Sequence, residues 1–225
     1  MTDYMVQFLY RTLVYGIALI IALPFHEFAH AWTANKLGDP TARWQGRLTL
    51  NPLKHLDVFG AILMLFTGIG WAKPVPINPG NFKNPKAGMA ISSLAGPVSN
   101  LLLALLSMIC YKVLVVVVVG TGGLFYDLAE SLINIFYLMV SINVGLAVFN
   151  LLPVPPLDGS RVANYFLPER TYFQIMQYER MIMIFLMFAV FSGVLDRPLA
   201  IVRNFFWNVL DFITRPLDLL LHLVV

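Results

Sequence analysis

Charged residues are scarce in this 225-residue chain, where Asp, Glu, Lys and Arg together make up 12%. A soluble domain carries about a quarter charged residues, so the composition excludes an ordinary soluble enzyme. Cysteine is represented by Cys110 alone, which excludes a disulfide within the chain. Hydrophobic residues reach 59% and the mean hydropathy is +0.75. These values predict an all-α polytopic membrane protein built as a helical bundle.

Long uncharged runs mark the candidate membrane spans, since about 20 apolar residues cross a bilayer. They cover residues 12–35, 58–72, 87–111, 131–157 and 181–195, the last extended back to about 172. The run at 58–72 is short and is interpreted as a re-entrant or interfacial element. Residues 198–225 either cross or lie in the interface. We therefore expect one membrane-embedded domain over 1–225, with a catalytic core at about 12–160 and C-terminal helices at about 172–225.

Basic residues are concentrated between the first long run and residue 87, and they are absent from 120–126. The positive-inside rule therefore places the first region in the cytoplasm and the second outside. This arrangement requires residues 58–72 to enter and leave on one side. It predicts a multi-pass protein, expected in the plasma membrane, whose active site faces the cytoplasm. The net charge of +3 is small, and we expect no nucleic-acid partner.

Residues 41–50 alternate partly between apolar and polar side chains and are bounded by turn residues. The pattern predicts one or two short β-strands at the cytoplasmic interface, and an irregular loop is the alternative. Asp39, after Gly38, is interpreted as a turn residue.

The first span contains His26-Glu27-Phe28-Ala29-His30. The H-E-x-x-H spacing places both imidazoles on one helix face, where they can bind zinc beside a glutamate that handles a proton. Burying an ionisable group in a membrane span costs free energy, so such a group usually has a function. The motif therefore indicates a metal-dependent hydrolase within the membrane. The alternative is a pair of buried histidines bonded to the backbone.

A catalytic zinc usually takes a third protein ligand, and the candidates are Asp158, His55, Asp57 and His222. Asp158 is favoured because prolines break the run before it and Gly159 permits a tight backbone. Its alternative role is to cap the next helix. If the topology above holds, Asp158 and His30 lie at the same membrane face. If residues 58–72 crossed, they would lie about 30 Å apart.

Other polar residues have weaker assignments. His55 and Asp57 are expected to order a loop, with a place at the mouth of the site as the alternative. His222 is interpreted as structural, and Asn100, beside Gly96, as a helix-packing residue. Asn150 could face a scissile carbonyl or bond to a neighbouring helix.

Four pieces, spread over residues 26–159, resemble the site-2 protease family of intramembrane zinc metallopeptidases. They are H-E-F-A-H at 26–30, N-P-L-K-H-L-D at 51–57, A-G-P-V-S-N at 95–100 and N-L-L-P-V-P-P-L-D-G at 150–159. The resemblance implies a three-helix catalytic core and one zinc per chain, held by His26, His30 and Asp158. It also implies Glu27 as the base and Asn150 as a group that stabilises the oxyanion or positions substrate. The expected substrates are membrane-anchored proteins, cleaved in or near their transmembrane segments, and the chain resembles a minimal form without PDZ or CBS domains.

Two other functions remain open from the sequence. A divalent-metal transporter also places histidine and glutamate in membrane helices, but it needs polar ligands through the bilayer. A non-catalytic membrane zinc-binding scaffold would use four protein ligands, whereas three are found convincingly here.

Overall fold

The computed structural model describes residues 2–57, 60, 72–121 and 126–224, and its regular elements are helices. In chain order they are α1 (Thr2–Lys36), α2 (Thr41–Trp44), α3 (Pro52–His55), α4 (Pro85–Gly120), α5 (Tyr126–Asn150), α6 (Asp158–Asn164), α7 (Glu169–Gln177), α8 (Glu179–Phe191) and α9 (Asp196–Val224). A 3₁₀ turn covers Pro79–Asn81. Within these ranges there is no strand, and an isolated β-bridge pairs Leu56 with Ala72.

Three of the described helices are long and apolar enough to cross a membrane, over Tyr15–Lys36, Pro85–Gly120 and Ala129–Asn150. The pair formed by α8 and α9 qualifies only when taken together, and it bends by 82° at its junction. The predicted all-α polytopic membrane fold is therefore confirmed.

Helix α4 lies at the centre of the bundle and packs against α1, α5, α6 and α9. Its N-terminus is stabilised in two ways: Pro85 takes the first helical position, and the side chain of Asn84 accepts a hydrogen bond from the Ala87 amide. An apolar core lies between α4, α5 and α9, and its buried residues are Ala104, Met108, Val140, Val144, Val148 and Leu210.

The outer faces of these helices carry large apolar side chains that are exposed in the isolated chain. Leu102 and Leu106 on α4 are 62% and 57% exposed, and Phe205 and Phe212 on α9 are 61% and 72% exposed. Such faces are expected where lipid replaces water as the solvent. The helices therefore bury polar groups inward and present hydrocarbon outward.

The strands predicted over residues 41–50 are wrong. Thr41–Trp44 form a helical turn, and Gly46 then reverses the chain with a φ of +64°. Arg47 points inward and donates hydrogen bonds to the carbonyls of Lys73 and Pro74, at 2.6 and 3.3 Å. A side chain rather than a backbone ladder therefore holds this segment, and the partial alternation in the sequence came from turn residues.

The ends of the predicted spans also shift. The run at 131–157 is helical only to Asn150, because the prolines that follow cannot continue the helix. The run extended back to residue 172 is divided into α7 and α8 at Tyr178. Apart from Gly60 and Ala72, the proposed re-entrant element at 58–72 lies outside the described residues.

Candidate metal centre

Three ligand atoms converge where α1 meets the start of α6. The Nε2 atoms of His26 and His30 lie 3.0 Å apart, and each lies 3.2 Å from Oδ2 of Asp158. Both histidines are buried, and the Asp158 side chain is 13% exposed. Among the described residues, these three form the group of His, Cys, Asp and Glu side chains able to hold a metal ion. The structure thus brings Asp158, from the start of α6, beside both histidines of α1.

The other nitrogen of each imidazole has a defined partner. His30 Nδ1 lies 2.7 Å from the carbonyl oxygen of Ser92, and His26 Nδ1 lies 2.6 Å from Oδ1 of Asn100. Both partners are acceptors, so each Nδ1 must carry the proton and donate it. The Nε2 lone pairs consequently face each other and the carboxylate.

A divalent cation fits this arrangement. Two nitrogen lone pairs and a carboxylate oxygen repel one another, and Asp158 Oδ2 is buried without a hydrogen-bond donor. Ligands about 2.0–2.1 Å from a tetrahedral zinc lie about 3.4 Å from one another, slightly more than the distances found here. Two imidazoles and one carboxylate also suit zinc chemically, and three protein ligands leave a fourth position for water.

Helix α4 passes very close to the histidines at Gly96. A Cβ atom built on Gly96 would lie 2.3 Å from His30 Nε2 and 2.6 Å from His26 Cε1. Non-bonded atoms do not approach this closely, so a residue without a side chain is required where the α4 backbone contacts the two imidazoles.

The loop after α5 places Asp158 beside the two histidines. Helix α6 begins at Asp158, and no side chain caps it, so the capping alternative is not observed. Gly159 lets α6 approach the end of α5, since a Cβ there would lie 2.2 Å from the carbonyl oxygen of Leu151. The broken helix end therefore turns the carboxylate back toward α1.

Glu27 lies beside the three ligand atoms and is 8% exposed. Its Oε2 accepts a hydrogen bond of 2.9 Å from the amide of Val75, in the segment that leads from the β-bridge to α4. This bond orients the carboxylate, because one oxygen is held and the other is left for a different partner.

A cavity of about 420 Å³ opens onto Glu27 and the three ligands. Its wall is mostly apolar, with side chains from α1, α5 and α8, and Asn150 and Arg161 also line it. The Asn150 Nδ2 donates to the carbonyl of Leu146, which occupies one of its two amide hydrogens. No hydrogen bond or ion pair joins Arg161 to any described residue. The cavity therefore combines an apolar wall with a few polar groups, as binding sites usually do.

The other candidate ligands do not join the cluster. His55 is 1% exposed and its Nε2 donates to the carbonyl of Thr49 at 2.7 Å. Asp57 accepts from the amide of Gly60 at 2.9 Å, so both residues order a loop as predicted. The side chain of His222 lies outside the described residues. Asp39 makes the predicted turn by accepting from the Thr41 amide.

Peptidase family M50 is the family whose model matches this chain, over residues 115–193. "Putative zinc metalloprotease YwhC" of Bacillus subtilis is 44% identical over 163 residues, covering 72% of this chain and 73% of that protein. "Putative zinc metalloprotease MJ0611" of Methanocaldococcus jannaschii is 31% identical over 161 residues, covering 69% and 73%. The chain belongs to peptidase family M50. "Putative zinc metalloprotease Rip2" of Mycolicibacterium smegmatis is 33% identical over 149 residues, covering 62% of this chain and 52% of that protein. No solved structure matches the chain.

Membership of the M50 family confirms the resemblance to site-2 proteases and makes the chain a member of a zinc metalloprotease family. Sequence reasoning missed three neighbours of the site. Asn100 does more than pack helices, since it accepts from His26, and Asn143 and the Val75 amide complete the surroundings. The two asparagines could have been suspected, because a polar residue in an apolar span usually has a task.

Proposed function

We propose that this chain is an intramembrane zinc metalloprotease, which hydrolyses peptide bonds in or near transmembrane segments of membrane-anchored proteins. The observation that carries the proposal is the convergence of His26, His30 and Asp158 within 3.2 Å, inside a bundle of membrane helices. One zinc per chain is held by these three residues. When bound there, zinc supplies Lewis acidity, which acidifies water and polarises a carbonyl group.

Glu27 acts as the general base. Its Oε2 is held by the Val75 amide, so Oε1 is the atom that accepts a proton from the attacking water and returns it to the leaving amide nitrogen. Burial among apolar side chains excludes bulk water from this transfer, which strengthens the electrostatic interactions involved. The hydrogen bond to Val75 keeps the carboxylate in place while the proton moves.

Asn150 positions the substrate carbonyl. One of its amide hydrogens is bonded to Leu146 within α5, and the second remains available on the cavity side. A donor aimed at a developing oxyanion contributes about 3–4 kcal/mol in other hydrolases. We assign the smaller role of orientation to Asn150, because its helix bond restricts how far the amide can turn.

The cavity fits an apolar, extended segment of chain. Its volume of about 420 Å³ and its wall of residues such as Leu23, Phe149 and Met187 suit side chains that come from a transmembrane helix. That helix must unwind first, since its amides are otherwise held in internal hydrogen bonds. We place the site at the cytoplasmic end of the bundle, because the basic residues are concentrated at that end. We expect the membrane to be the plasma membrane.

The test compares four forms of the detergent-purified protein: wild type, Asp158→Ala, Glu27→Gln and the control Glu130→Gln, which changes an exposed glutamate on α5. Zinc content and cleavage of a reporter with one transmembrane segment between two soluble tags are measured. We expect about one zinc per chain in every form except Asp158→Ala. Cleavage should be lost in Asp158→Ala, fall about 10²–10⁴-fold in Glu27→Gln and stay unchanged in Glu130→Gln.

Retained cleavage in Glu27→Gln would refute the base assignment, and retained zinc in Asp158→Ala would place the third ligand elsewhere. Zinc flux in sealed vesicles without cleavage would favour the transporter. Zinc that is bound with neither flux nor cleavage would favour the scaffold.

A further inference from the structure

We infer that Asn143 on α5 is a positioning residue. Through Asn100 it fixes the tautomer of His26 that metal binding requires, in which the proton is on Nδ1 and Nε2 is free. This inference deepens the proposed function and rests on its metal site. Asn143 and Asn100 are 0% and 1% exposed, so their amides are shielded from bulk water. Their hydrogen bonds join three helices, from α5 through α4 to α1.

A backbone carbonyl fixes which group donates and which accepts in each of these hydrogen bonds. The group of Asn143 that faces the carbonyl oxygen of Met139, at 2.8 Å, must be its Nδ2 amino group, because a carbonyl only accepts. The Oδ1 of Asn143 is then the atom turned toward α4, where it can only accept in turn.

Asn100 relays this direction to the histidine. Its Nδ2 donates to Asn143 Oδ1 at 3.0 Å, which turns its own Oδ1 toward His26 Nδ1 at 2.6 Å. His26 must therefore carry its proton on Nδ1 and leave Nε2 free for a metal. If the amide of Asn100 were reversed, its amino group would face Nδ1 and favour a proton on Nε2, which would block the ligand position.

His30 needs no such relay, because a backbone carbonyl, that of Ser92, accepts its Nδ1 proton directly. The two ligands therefore obtain the same protonation pattern in different ways. Removing partners of metal-bound histidines typically costs 10–100-fold in metal affinity. A hydrogen bond that only joins membrane helices stabilises the fold weakly, and its loss would leave the metal affinity unchanged.

The experiment measures zinc affinity by competition with a chelator in wild type, Asn143→Leu, Asn143→Asp and the control Ser107→Ala. Asn143→Leu removes the acceptor for Asn100, and we expect zinc affinity to fall about 10–100-fold. Asn143→Asp keeps an oxygen that accepts from Asn100 Nδ2, so affinity should stay within about threefold of wild type. Ser107 is a buried α4 residue whose hydroxyl, among the described residues, donates to Leu103 in its own helix, and its replacement should leave the zinc affinity unchanged.

The inference is overturned if Asn143→Leu holds zinc as tightly as wild type, or if Asn143→Asp loses as much affinity as Asn143→Leu. A second measurement applies even if a variant fails to fold. In the metal-free wild type, the ¹⁵N NMR signals of the His26 imidazole, identified by their loss in His26→Gln, should show the proton on Nδ1. A His26 imidazole that carries a proton on Nε2 and none on Nδ1 would contradict the relay. Failure of wild type to bind zinc would refute the proposed function, whereas this NMR result tests the relay alone.

Discussion

Two clusters of ionisable side chains join helices in this protein, and they satisfy their carboxylates in opposite ways. In the metal-site cluster of His26, His30 and Asp158, three electron-pair donors face one another. In the lysine cluster, Lys112 on α4 contacts Asp211 at 2.8 Å and Asp218 at 2.6 Å on α9. The second cluster contains its own cation, and the first does not.

We interpret this difference as the one between a candidate functional site and a structural ion pair. Buried or lipid-facing carboxylates need a positive partner, which either the chain or a bound ion must supply. The lysine cluster is complete and fixes α9 against α4. The metal-site cluster has no lysine or arginine side chain among its members and opens onto a cavity, which is the arrangement expected of a catalytic metal site.

The largest effect on the metal-site cluster is expected from Gly96→Ala. The added methyl group would overlap both histidines, so the ligand set must spread, and we expect zinc affinity to fall about 10–100-fold and cleavage about 100-fold. The matched control is Gly145→Ala on α5, where a Cβ meets nothing within 4 Å. Chelator competition and reporter cleavage measure both variants, and equal behaviour of the two would show that the α4 contact is unimportant.

The lysine cluster is tested with Lys112→Met, which leaves Asp211 and Asp218 without their cation. We expect the free energy of unfolding in detergent to fall by about 1–3 kcal/mol, below the cost for fully buried pairs because both carboxylates are partly exposed. Zinc binding should not change. Adding Asp211→Asn and Asp218→Asn should restore most of the stability. Lost zinc with unchanged stability would reverse the roles that we assign to the two clusters.

Asp39 is a buried carboxylate that is stabilised by hydrogen-bond donors rather than by a cation. Its replacement is expected to have the smallest effect on stability. Burial opposes its ionisation, but hydrogen bonds from Thr41, Asn81 and Asn78 outweigh burial and hold the pKa of its carboxyl below the usual value. A lowered pKa stabilises the fold above the unfolded-state pKa of about 3.9, and this contribution disappears as the pH falls through the lower folded-state value.

The free energy of unfolding, followed from about pH 6 to about pH 3, should therefore differ between wild type and Asp39→Asn by about 1–2 kcal/mol at the upper end. The two curves should converge in acid. Parallel curves would show that the ionised form of Asp39 does not contribute to stability.

Local patterns in the sequence were enough for part of the site. His26 and His30 could be predicted to lie together because helical spacing alone places residues i and i+4 on one face. Asp158 could be predicted because basic residues report membrane orientation, and orientation decides which helix ends meet. The membrane-spanning regions followed from hydropathy, although their ends did not, since the α5 boundary depends on prolines and packing.

Other features depended on contacts between distant residues. The strands predicted at 41–50 failed because Arg47 bonds to carbonyls 26 and 27 residues away, which no local alternation reveals. The Val75 amide on Glu27 and the bonds from Asn143 through Asn100 to His26 likewise join segments separated by 43 to 74 residues.

Composition and helical periodicity are local properties of the chain, and they were enough to predict the membrane class, the helical spans and the types of ligand. Three features depend instead on tertiary contacts: the passage of α4 behind the histidines at Gly96, the free nitrogen of His26 and the hydrogen bond from Val75 to Glu27. These outcomes require three helices to be packed against one another, since the groups concerned meet only across helix interfaces.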